Sequence, residues 1–70
     1  MRMSVSDVMA LTKKFLREEA GFDVVKIASA VAIEAESTWR VVAELGQPTS
    51  DKKEIIVDDR DGKIVSYKQA

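Results

Sequence analysis

The apolar residues of this chain change their spacing at Gly21, and that change limits the fold more than any other feature. Ahead of it, Val5, Val8, Met9, Leu11, Phe15, Leu16 and Ala20 fall on one side when residues are placed at about 100° each. Asp7, Lys13, Lys14, Arg17 and Glu18 fall on the other. The pattern predicts an amphipathic helix over residues 5–20. Thr12 and Glu19 intrude on its apolar side, and Glu19 is near enough to the end to bend toward water. Ser4 is placed to cap the start by accepting from the backbone at Asp7, a variant of the capping box. Met3 is then set to staple against Val8, and Ser6 is a rival cap. Gly21 can take the left-handed conformation that ends helices.

After Gly21 the period is two. Val25, Ile27, Ser29, Val31 and Ile33 alternate with Lys26, Ala28, Ala30, Ala32 and Glu34. This predicts a long strand over 24–35, weak at Ala28-Ser29-Ala30, where a bulge or break is expected. Glu36-Ser37-Thr38 reads as a turn. A second strand over 39–45 places Trp39, Val41, Ala43 and Leu45 on one face, with Arg40, Val42 and Glu44 on the other. The stretch from Gly46 to Asp51, which holds Pro48, reads as a loop. Strands over 54–58 and 63–68 follow, joined by Asp59-Arg60-Asp61-Gly62, whose Asp-Gly pair signals a hairpin. Short connections favour antiparallel neighbours. The expected fold is α+β, a single domain over 1–70: one helix packed on one face of a three- to four-stranded antiparallel meander.

Composition narrows the function. Seventy residues allow one core, and small domains often need a disulfide, a metal or self-association to hold it. With no cysteine and no histidine, apolar packing must carry the fold, and no cofactor is expected. Eleven basic residues against twelve acidic ones leave a net charge of −1, without the basic excess that nucleic-acid binding requires. The start of the chain has no apolar stretch of the signal-peptide type, and no run approaches the roughly 20 residues of a membrane span. A soluble, cytoplasmic protein is expected.

Few residues invite chemistry. The acidic turn Asp58-Asp59-Arg60-Asp61-Gly62 could be compared with a calcium loop, but the first and last ligand positions would fall on Val57 and Lys68. A solvated hairpin is the simpler reading. Glu34 could approach Glu44 across a hairpin and act with it as an acid–base pair; without histidine, an enzyme would have to rest on such a pair or on Lys or Tyr. Lys13, Lys14 and Arg17, with Glu18 beside them, read as a solvated helix face. Trp39 either anchors a partner or closes one end of the core, and Tyr67 has the same two readings. A small meander also offers a sheet edge or an open face for a partner strand or a second copy, with Pro48 and the lysines near position 52 guarding part of one edge.

The run Thr38-Trp39-Arg40-Val41-Val42-Ala43-Glu44-Leu45, then Pro48-Thr49-Ser50-Asp51, then Glu54 to Asp58, then Asp61-Gly62-Lys63-Ile64-Val65-Ser66-Tyr67 resembles the gas vesicle protein O family. A looser resemblance is to PepSY-like domains, which also set a helix before a small antiparallel sheet, in a PepSY-like or cystatin-like two-layer arrangement. The first resemblance implies an accessory protein in gas vesicle assembly or its regulation, acting through other proteins. The second implies a regulatory or inhibitory module. Neither supplies catalytic residues. Trp39, Arg40, Glu44 and Tyr67 are the residues expected to meet a partner.

Overall fold

The computed structural model describes residues 1–47 and 51–70. Helix α1 spans Val5–Glu18 and strand β1 Val24–Ile33; a short 3-10 turn, Glu34–Glu36, leads into β2, Thr38–Gln47. Strand β3 covers Asp51–Asp58 and β4 Ile64–Gln69. The four strands lie in the order β1-β2-β3-β4, and each neighbouring pair is antiparallel. The α+β meander expected from the sequence is the fold observed.

Local chemistry sets the helix limits. Ser4 Oγ accepts from the Asp7 N–H at 3.1 Å, and the Asp7 carboxylate accepts from the Ser4 N–H at 3.1 Å, closing the box in both directions. The helix stops two residues short of Ala20. The Glu19 and Ala20 N–H groups both turn back to the Phe15 carbonyl, the Phe22 N–H reaches the Leu16 carbonyl, and Gly21 sits at φ +78°. Thr12 is fully buried, and its hydroxyl donates to the Val8 carbonyl at 2.8 Å. That bond answers the polar group's need inside an apolar layer.

The core lies between α1 and one face of the sheet. Val8 and Leu16 descend from the helix onto Val25, Trp39, Val41, Ala43, Leu45, Ile55 and Val57. Met3, Leu11, Phe15, Ile27 and Ile64 pack around them. The face expected for β2 is the face observed. In β1 the expected weakness is a bulge: the pairing with β2 slips between Ile27 and Ser29. Strict alternation would have put Ser29, Val31 and Ile33 with Val25 and Ile27. The extra residue, Ala28, reverses the phase, so Ala30 and Ala32 turn to the core and Val31 is 56% exposed.

Other boundaries moved for reasons of pairing. Strand β1 ends at Ile33, short of residue 35, because Glu34–Glu36 coil into the 3-10 turn and Ser37 follows at φ +53°. Gly46 and Gln47 extend β2, and Asp51, Lys52 and Lys53 open β3 opposite Leu45, Glu44 and Ala43. The ladder holds these polar residues in a strand that apolar spacing alone would not mark. Of the expected Gly46–Asp51 loop, Pro48-Thr49-Ser50 lies outside the described residues. Lys52 and Lys53 stand in an interior strand, so they guard no edge; the edges are β1 and β4.

Candidate functional site

The structure separates the four residues expected to meet a partner. Trp39 and Tyr67 belong to the helix side of the sheet, and Arg40 and Glu44 to the open side.

Trp39 is 8% exposed, and its indole N–H donates to Asp59 Oδ1 at 2.8 Å. Asp59 is itself only 4% exposed. It also accepts from the Arg2 N–H at 2.5 Å and the Met3 N–H at 2.9 Å, and its own N–H donates to the Ser37 carbonyl at 2.9 Å. Asp59 thus ties the segment ahead of α1 to the start of β2 through its carboxylate, and to the β1–β2 turn through its backbone N–H. The Arg2 N–H above all, then the Met3 and Trp39 donors, holds the Asp59 carboxyl below its ordinary value against the opposing effect of burial. Trp39 is therefore committed to the core, with its polar handle satisfied inside the molecule.

Tyr67 is 38% exposed and stacks edge-on against Phe15, ring centroids 5.3 Å apart at 81°. Lys53 Nζ lies 5.7 Å from the Tyr67 ring centre. On the opposite face, Arg40 Nε donates to Glu54 Oε2 at 2.7 Å, and Lys68 Nζ lies 3.4 Å from Glu54 Oε1. Arg40 foremost holds the Glu54 carboxyl low. Glu44 stands exposed between Lys26 and Lys52 on the neighbouring strands.

The open face is a patchwork. Apolar Val31, Ile33, Val42 and Ile56 alternate with the Arg40–Glu54–Lys68 ladder and with Lys26, Glu44 and Lys52. At its end Thr38 is buried beside Asp58 and Ile33, and its hydroxyl has no partner among the described residues.

The Glu34–Glu44 pair does not form. Glu34 lies in the turn beyond the Ile33–Thr38 pair, whereas Glu44 pairs with Lys26 near the other end of β2. Six strand residues separate the two levels, on the order of 20 Å. The acidic turn is a hairpin closed by Asp58 N–H to Lys63 carbonyl at 2.8 Å and Gly62 N–H to Asp58 carbonyl at 2.9 Å, with Gly62 at φ +71°. Its carboxylates are engaged within the chain: Asp58 with Arg60, Asp59 as above, and Asp61 with the Lys63 N–H. Among the described residues no cluster of three metal-ligating side chains occurs, and no helix is long and apolar enough to cross a membrane.

Sequence reasoning assigned Asp59 to a solvated turn and missed its role. The one signal available was Trp39, whose N–H needs an acceptor when the ring is buried. Nothing in the spacing of residues 39 and 59 says which acceptor that is. In comparisons with protein-family models, curated proteins and solved structures, the chain matches none.

Proposed function

We propose that this chain is a non-enzymatic protein-interaction module that uses the sheet face away from α1. One observation carries the reading: a domain with a single helix leaves half of its sheet uncovered, and that half presents Val31, Ile33, Val42 and Ile56 between charged residues of both signs. Apolar side chains ringed by charge are the ordinary make-up of a protein–protein surface. Arg40 and Glu44 lie on this face and are its expected contacts. Trp39 and Tyr67 support it from behind.

The resemblance of roughly residues 36–67 to the gas vesicle protein O family points to vesicle proteins as the partners and to assembly or its regulation as the task. The element order, helix before meander, favours the PepSY-like regulatory module as the second reading. Affinity capture of the tagged protein from lysate of its source, with mass-spectrometric identification, decides between them. Recovery of gas vesicle proteins, lost when Val31→Glu and Arg40→Glu are introduced together, is the expected result. Recovery of a single enzyme and no vesicle protein favours the regulatory module. Capture that the two substitutions leave unchanged removes the open face from the reading.

A further inference from the structure

Helix α1 lies over β1 and, to a smaller extent, β2. Among the described residues, the helix side of β4 faces the flank of α1. Between the two runs an open groove of about 430 Å³, lined by Leu11, Lys14, Phe15, Glu18, Glu19 and Ile64. Met3, ahead of the helix, lies near Gly62, and Phe15 meets Tyr67. Helix and strand thus run in the same direction along the groove. Its apolar part, Leu11, Phe15 and Ile64, comes first, and Glu18 and Glu19 lie toward the Gln69 end.

Two further observations concern the occupant. Strand β4 is an edge, so one side of its backbone has no neighbour in the sheet. Glu18 and Glu19 stand at the C-terminal end of α1, where the helix dipole disfavours negative charge, and neither enters an ion pair among the described residues.

We infer that β4 and the α1 flank form a docking site for an extended segment of a partner protein, which adds as a fifth strand. Every second side chain of such a strand points to the helix side. One apolar side chain there covers Leu11, Phe15 and Ile64. The next on that side, two residues away toward Gln69, is a lysine or arginine that meets Glu18 and Glu19. A second copy of this chain fits poorly in the register that covers Ile64 with an apolar side chain. Two-fold pairing of β4 that sets Ile64 opposite Tyr67, both on the helix side, also sets Lys63 opposite Lys68, and like charges directly opposed are destabilising.

The inference rests on the interaction reading but places contact on a different surface, so the two can fail separately. The probe is a blocked nonapeptide of alternating threonine and valine, with a central leucine and a lysine two positions from it; a second peptide carries glutamate in place of that lysine. Both are titrated into the isotope-labelled protein and followed by amide chemical shifts. Shifts concentrated on residues 64–69 and 11–19 are expected, with the glutamate peptide about fivefold weaker, the size of an exposed ion-pair effect. Converting both acids, Glu18→Lys with Glu19→Lys, should reverse the preference while leaving the melting curve that of a folded domain. No shifts at millimolar peptide, shifts confined to the open face, or equal binding of the two peptides would overturn the site. If it falls while partner capture still depends on Val31 and Arg40, the module reading stands without the groove; if capture also fails, both are lost.

Discussion

Asp59 joins three separate parts of the chain. Its carboxylate receives the Trp39 indole and two backbone N–H groups from the segment before α1. All three donors favour the ionised form, so the folded value is depressed. A depressed carboxylate contributes stability that is fully present above the unfolded value, near 3.8, and is lost as pH falls through the folded one. Asp51, Glu54 and Asp58 are shifted in the same direction, led by Gln69, Arg40 and Arg60 respectively. The urea midpoint should therefore be flat near neutrality and drop below pH 4. Asp59→Asn should lower the midpoint at pH 7 and shrink the difference between pH 7 and pH 3, because its amide cannot accept all three bonds as an anion does. An unchanged pH profile in this variant would mean that the clamp contributes nothing to folding.

At the scale of the element, the bulge in β1 decides which residues face the core. Ala28 is the unpaired residue between Ile27 and Ser29. Deleting it leaves Ile27, Ala30 and Ala32 on the helix side, since the residues beyond the bulge already keep the opposite phase. Deleting Val42 from β2 instead, where the ladder with β3 has no bulge to absorb the loss, shifts the rest of that strand by one and turns its side chains over. The Ala28 deletion should fold with a melting temperature near that of the parent, and the Val42 deletion should melt far lower or not fold. Circular dichroism melts of the two deletions separate these outcomes. Equal damage from both would show that the bulge itself, through the added twist, is what the helix packs on.

The whole molecule has little stability to lose. A chain of 70 residues is held by roughly 4–10 kcal/mol in total, and among the described residues nine buried apolar ones form the core. Leu16 and Ile55 are the largest fully buried side chains among the described residues. Leu16→Ala should cost about 2–5 kcal/mol, a large share of that total, and leave a substantial unfolded fraction at 37 °C by denaturant titration. Val31→Lys, on the open face, should change stability by no more than about 0.5 kcal/mol. A large loss from Val31→Lys would place that face in a core formed by self-association.

The sequence by itself determined the elements, because each has a local cause. A 3.6-residue apolar period, a Ser–Asp cap and a left-handed Gly21 define α1; a two-residue period defines β2; and an Asp-Gly turn joins β3 to β4. It also marked the weak centre of β1. Tertiary structure alone decided the phase of β1 after the bulge, the polar start of β3, and which strands became edges, since each depends on the register with a neighbour. It alone separated Glu34 from Glu44 and Trp39 from Arg40, and brought Asp59 to the backbone of Arg2 and Met3. Those contacts span 57 and 56 positions. Local propensity acts over a few residues, so only the folded sheet, with the helix start laid across its end, can bring such groups within hydrogen-bonding distance.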